Sequence, residues 1–246
     1  MIEFSIVQWA AWAPGLAHRE DWLAWARQPV LPQGQDTPAL AEVPAMQRRR
    51  IERLGRMAIQ AACWCEEDND DARVPLVFAS RHGDVARSVE LLNSLADDQA
   101  LSPTAFGLSV HNAVAALYSI TRGKRGNYVA LAAGKTTAEA ACAEAFALLA
   151  DGAAEVRVVC YEAPLPLAYA DFRDEPDPFF AWCWRIAAAG RSGARMGLEW
   201  EQAAGAGDTP AGTLPHGLDV HRFLLAGQPR LDFTANGQRW RWSRRG

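Results

Sequence analysis

The stretch SPTAFGLSVHNAVAALYSITRGKRGNYVALAAGKTTAEAACAEAFALLADGAAEVRVVCYE, Ser102 to Glu162, decides the fold. Tyr128 to Ala133 is a short apolar run with a β-branched residue. Gly134 to Thr136 breaks it, and from Thr137 onward the chain is alanine-rich with apolar residues at helical spacing. Gly152 ends that helix as the residue after its C-cap, and the Val-rich run Glu155 to Tyr161 follows. Strand, turn, buried helix and second strand make a βαβ crossover, so the fold class is α/β. The turn at the carboxyl end of such a strand is where α/β proteins hold their chemistry.

Working outward, Phe4 to Trp9 reads as a first strand, and Pro14-Gly15 turns the chain into an amphipathic segment with Trp22, Leu23 and Trp25 facing the core. Pro29, Pro32, Pro38 and Pro44 are spaced so that no regular helix fits between Gln28 and Pro44. Ala45 to Glu66 carries Met46, Leu54, Met57, Ile59 and Ala61 among Arg and Gln and reads as one long helix, followed by an acidic turn to Asp71. Val74 to Ala79 is a second strand, opening into Ser80 to Asp84 and a helix carrying Val85, Val89, Leu92 and Leu95. After Glu162, Pro164, Pro166, Pro176 and Pro178 mark an exposed connection before a strand at Ala181 to Ala187. Gly190 to Gly217 is rich in Gly and Ala around the apolar piece Met196 to Trp200. Leu218 to Ala226 reads as a helix, and Leu231 to Phe233 with Arg239 to Trp242 as a hairpin turned at Asn236-Gly237.

The chain has 246 residues, half of them hydrophobic, enough to bury a large core. Its net charge of -4 argues against a nucleic-acid partner, because phosphate binding rests on clustered Lys and Arg; the triplet Arg48 to Arg50 reads as a solvated helix face. Five cysteines at irregular spacing point to reduced thiols in the cytosol. Glu3 stands where a signal peptide needs Lys or Arg, and no apolar run reaches the roughly 18 residues of a membrane span. The expected location is cytoplasmic, with no membrane span.

Several residues carry candidate chemistry. AAGKTT follows a strand and opens a helix like a P-loop, but the Gly that loop needs five positions before Gly134 is Val129. Ser80, His82 and Asp84 have the residue types of a hydrolase site. Residues two apart in a loop do not converge into a self-contained triad, so they read as pocket-lining groups. Cys63 and Cys65 form a C-x-C without a second pair or a nearby His, and no metal site is expected.

Ser102-Pro103, Phe106, Ser109, Asn112, Ser119 and Gly123, with the strand, turn, helix, Gly152 and final strand that follow, resemble the N-terminal half of a β-ketoacyl synthase. Ile2 to Gly15 resembles the opening strand and turn of the same fold. The resemblance implies a thiolase-like fold, with residues 1–163 as a ketosynthase N-terminal-like domain and residues 164–246 as a shortened, divergent extension packed on it. It also implies a nucleophilic Cys at the turn before the buried helix. Counting back from Glu144-Ala145 and Gly152, that position is Lys135; Cys142, seven residues on, lies two helical turns away and reads as core. The two histidines of a decarboxylating ketosynthase have no counterpart in register, His216 and His221 standing in unrelated surroundings.

The length, Ser109 to Ala113 and the Trp-rich C-terminus are most similar to the short ketosynthase-like subunits of bacterial aryl polyene pathways. That implies a non-catalytic chain-length factor, without cofactor, which pairs with an active ketosynthase and meets acyl carrier protein through the complex. Ser80, His82, Asp84, His111, Asn112 and Lys135 are then the pocket, with His111-Asn112 holding the turn around Lys135. Asn127, Tyr128, Val129 and Leu131 lie on a strand that pairs across the dimer axis. The rival reading is an independent acyltransferase or hydrolase using Lys135, Ser80 or His82.

Overall fold

The computed structural model describes residues 1–67, 71–203, 205 and 207–245. In chain order its elements are β1 (Ile2–Trp12), α1 (Arg19–Arg27), α2 (Ala45–Arg48), α3 (Arg53–Trp64), β2 (Leu76–Ala79), α4 (Val85–Ala96), α5 (Pro103–Ser109), α6 (Ala113–Arg122), β3 (Tyr128–Leu131), α7 (Thr137–Ala150), β4 (Glu155–Glu162), β5 (Phe180–Ala188), β6 (Ala194–Gln202), α8 (His216–Leu225), β7 (Arg230–Ala235) and β8 (Gln238–Arg244). The strands form one eight-stranded sheet in the order β3-β2-β4-β5-β1-β6-β8-β7. Strand β2 pairs in parallel with both β3 and β4, and every other neighbouring pair is antiparallel.

The crossover from β3 through α7 to β4 therefore passes over β2. Its turns are built locally. Gly134 at φ +57° lets the chain leave β3, the Thr136 hydroxyl donates to the Ala133 carbonyl at 2.9 Å, and the Thr137 hydroxyl accepts from the Ala133 amide at 3.0 Å. At the far end Gly152 takes φ +102°, and the amides of Gly152 and Ala153 donate to the carbonyls of Leu149 and Leu148.

Two apolar clusters sandwich the sheet. One joins β1, β2, β4, β5, β6 and β8 to α1, α7 and α8; the other joins β1, β2, β4 and β5 to α3 and α6. Strands β4 and β5 are covered on both faces, which explains their continuous apolar runs Val158 to Tyr161 and Phe180 to Trp184. Strand β6 is covered on one face only. Met196 and Leu198 point into the first cluster, while Arg195, Glu199 and Glu201 on the other face pair with Glu3, Arg241 and Arg239. The 163/164 boundary falls between β4 and β5, and β5 lies in the middle of the sheet between β4 and β1.

The segment Ala45 to Glu66 is not one helix. Residues 49–52 separate α2 from α3, because Ile51 folds back into the second cluster against Gly55. The Arg56 side chain then donates to the carbonyls of Ile51 at 2.8 Å and Arg48 at 3.1 Å, satisfying the groups that the break frees. Part of the acidic turn expected after it, residues 68–70, lies outside the described residues. Strand β1 is longer than its apolar core and carries a register shift between Ile6 and Gln8, where it passes from pairing with both β5 and β6 to pairing with β5 alone.

Candidate functional site

The carboxyl ends of β2, β3 and β4 meet in one region, and the side chains there are tied by charge. Ser80 follows β2 and is fully buried; its hydroxyl donates to Glu162 Oε2 at 3.3 Å and accepts from the Gly83 amide at 2.9 Å. Glu162, the last residue of β4, also accepts from the Arg81 amide at 2.6 Å. Burial pushes its carboxyl up to about 8, against the pull of the Arg81 amide and guanidinium, so at neutral pH it is mostly protonated.

The Arg81 guanidinium reaches the segment between β4 and β5, binding Asp174 at 2.7 Å and Glu175. Asp174 also takes Lys135 at 3.4 Å. Burial works against the charge on Asp174, but the bonds from Arg81 and Lys135 win and hold its carboxyl below the usual range. Lys135 stands on the 3-10 turn (Gly134–Thr136) between β3 and α7 as the ammonium of an ion pair.

One histidine that no local spacing marks belongs here as well. His216 opens α8, and with Lys135 it walls a cavity of about 140 Å³. Its Nε2 lies 2.6 Å from Oε1 of Glu139, a fully buried residue in the first turn of α7, and the same oxygen accepts from the Trp242 indole at 2.8 Å. The backbone amide of His216 donates to Glu175 at 3.1 Å, and its ring stacks on Phe233 at 3.5 Å. His216 and Lys135 thus line one cavity. The partner Glu139 is 77 residues away in the chain, a relation that only the fold creates.

The other expected pocket residues divide. His82 lies beside Arg81 and walls the cavities on both sides of Leu165; burial, reinforced by the Arg81 charge, lowers its pKa. His111 Nε2 lies 2.9 Å from the Ser80 carbonyl, so the turn it holds is the one after β2 rather than the one around Lys135. Asp84 caps α4 through the Arg87 amide at 3.2 Å and pairs with the Arg87 side chain. Asn112 is an exposed N-cap of α6. All five cysteines are free and buried, and burial drives the Cys142 thiol well above its ordinary value. Among the described residues no cluster of metal-ligating groups occurs, and no helix is long and apolar enough to cross a membrane.

The family model of the β-ketoacyl synthase N-terminal domain matches residues 22–243, most of the chain. The chain belongs to the β-ketoacyl synthase family. No curated protein sequence matches it. Among solved structures it is similar, at TM-score 0.85 and 24% identity over 99% of this chain and 100% of the other, to a chain of the ketosynthase ApeO in complex with its chain length factor ApeC from Xenorhabdus doucetiae. It is also similar to the ishigamide ketosynthase/chain length factor, at TM-score 0.64 and 17% identity over 82% of this chain and 68% of the other. A β-ketoacyl synthase from Burkholderia phymatum matches at TM-score 0.59 and 11% identity, over 84% and 66%. These likenesses establish the thiolase-like ketosynthase fold expected from residues 102–162. Within the β-ketoacyl synthase family this chain sets an ion-paired lysine on the turn between β3 and α7.

Proposed function

We propose that the protein is a non-catalytic, ketosynthase-like chain-length factor that pairs with an active ketosynthase and shapes the space in which a growing polyene chain, carried on acyl carrier protein, is held. The observation that carries this is Lys135. Acyl transfer needs a nucleophile with a free electron pair and a base or low pKa to supply it. The turn offers an ammonium bound to Asp174, and the five thiols of the chain are buried.

The rival groups are equally committed. The Ser80 hydroxyl donates to a carboxyl and accepts from the Gly83 amide, and among the described residues His82 makes no hydrogen bond with that hydroxyl. The length of the match to a chain of a ketosynthase and chain length factor complex supports the pairing. So does the surface around β3. That strand ends the sheet with its outer backbone groups unpaired by any other strand among the described residues, and Tyr128 is exposed on it. Beside it α6, α5 and α4 pack in series and expose Ile120 (71%), Phe106 (63%) and Leu92. No residue of α4 or α5 is buried. Exposed apolar side chains on three neighbouring helices beside a bare sheet edge fit a surface that a partner covers.

Purified alone and offered acyl-thioesters, the chain is expected to give neither turnover nor a mass shift. An acyl adduct on any residue, or hydrolysis above the buffer rate, would overturn the non-catalytic reading in favour of an acyltransferase or hydrolase.

A further inference from the structure

The segment 164–177 crosses the carboxyl ends of the parallel strands. Its base is pinned by Asp177, whose Oδ2 accepts from the Leu165 amide at 3.0 Å and from the Arg173 side chain at 2.8 Å. Its middle, the 3-10 turn Leu167–Phe172, contributes no buried residue: Leu167 is 89% and Phe172 65% exposed. Apolar packing therefore does not hold this turn down. Charge holds the segment instead, through the ion pairs of Asp174 and Glu175 with Arg81, of Asp174 with Lys135, and the Glu175 bond to the His216 amide.

Beneath and beside the segment lie three cavities. One of about 240 Å³ opens between the N-termini of α3 and α4, one of about 20 Å³ lies against Arg81 and Glu162, and the 140 Å³ cavity lies against Lys135 and His216. Leu165 and His82 separate the first from the second, and Glu175 separates the second from the third. The dividing walls thus come largely from this segment.

We propose that residues 164–177 are a strap, latched by Arg81 and Lys135, whose release joins the three cavities into one cleft along the ends of β2, β3 and β4. The lysine at the turn before α7 then has a task of its own, which is to hold Asp174. An element with few buried apolar contacts and a few ionic fastenings opens locally, at a free energy below that of global unfolding. Its opening rate is set by the fastenings.

Amide hydrogen exchange on the full chain tests this, with the parent compared to Asp174→Asn/Glu175→Gln and to Lys135→Met, and with Glu3→Gln as a distant control. The expected result is exchange at least tenfold faster in peptides covering 164–177 and at the His216 amide, with β4, β5 and the control unaltered. Exchange of the strap at the parental rate in the double variant would overturn the proposal. If β4 and β5 accelerate along with the strap, Lys135→Met decides: acceleration confined to the strap supports the latch, and its absence overturns it.

Discussion

Glu162→Gln probes the site through pH. Glu162 is buried at the end of β4, and its carboxyl is raised from 4.5 to about 8, chiefly by loss of water. Below the unfolded value the acid is protonated in both states, and it contributes nothing to the pH dependence. Between the unfolded value and about 8 the folded protein keeps a proton that the unfolded chain releases, so stability falls as pH rises, and it levels off above the folded value. At 1.36 kcal/mol per pKa unit, the loss between pH 5 and pH 7 is about 2–3 kcal/mol. For a chain of this size that corresponds to roughly 5–10 °C in Tm.

The Glu162→Gln side chain keeps both partners, its carbonyl accepting from the Arg81 amide and its amide group donating to the Ser80 hydroxyl in place of the bond that this hydroxyl donates to Glu162, and it does not titrate. The variant is therefore expected to melt close to the parent at pH 5, to rise above it through pH 6 and 7, and to hold a constant advantage above pH 8. Differential scanning calorimetry across this range reads the difference directly. A Tm difference that stays flat from pH 5 to 8, or that moves in the parent's favour, would refute the assignment of a neutral carboxyl to Glu162.

Lys135→Cys restores a thiol at the turn, but His216, the histidine sharing its cavity, is tied to Glu139 and stacked on Phe233, so the isolated variant is expected to form no carbon–carbon bond from malonyl-carrier protein; product by mass spectrometry would contradict this. Glu139→Ala leaves the buried His216 ring and Trp242 indole without their shared acceptor, and equilibrium denaturation should show a loss of about 3–5 kcal/mol. Ala130→Pro, at a position whose amide points away from β2 at the free edge of β3, removes a donor available to a partner strand and should abolish assembly with a partner ketosynthase without unfolding the chain, as read by co-purification and circular dichroism.

What the sequence discloses follows the range of the interactions. The β3, turn, α7 and β4 unit is legible because its breaks are local: Gly134 and Gly152 take positive φ, and Thr136 and Thr137 bond within three or four residues. The hairpin of β7 and β8 is legible for the same reason, Asn236-Gly237 supplying two positive φ angles in succession. Strand β6 is harder to see, since its uncovered face carries cross-strand ion pairs and its ends run into Gly and Ala. The break at residues 49–52 comes from Ile51 finding the core across a turn, which helical periodicity does not encode.

At the site, Lys135 is visible in the sequence as the residue at a special turn. Its counter-ion Asp174, the Arg81 fork and the Glu139 to His216 pair join residues dozens of positions apart, and no spacing rule connects them. Asp84 and Asn112 lie close to the site in sequence yet sit at the N-termini of α4 and α6. Short-range polar residues at a strand end serve as helix caps as readily as they line a pocket.

The proposed role requires that the bare edge of β3 and the exposed apolar side chains of α4 to α6 be completed by a ketosynthase. Co-expression of this chain with its cognate ketosynthase, followed by size-exclusion chromatography with light scattering, tests it most directly. The expected result is one particle with the mass of a one-to-one complex, and a chain that self-associates or precipitates when expressed alone. A stable, well-behaved monomer of this chain, eluting apart from an unbound ketosynthase, would contradict it.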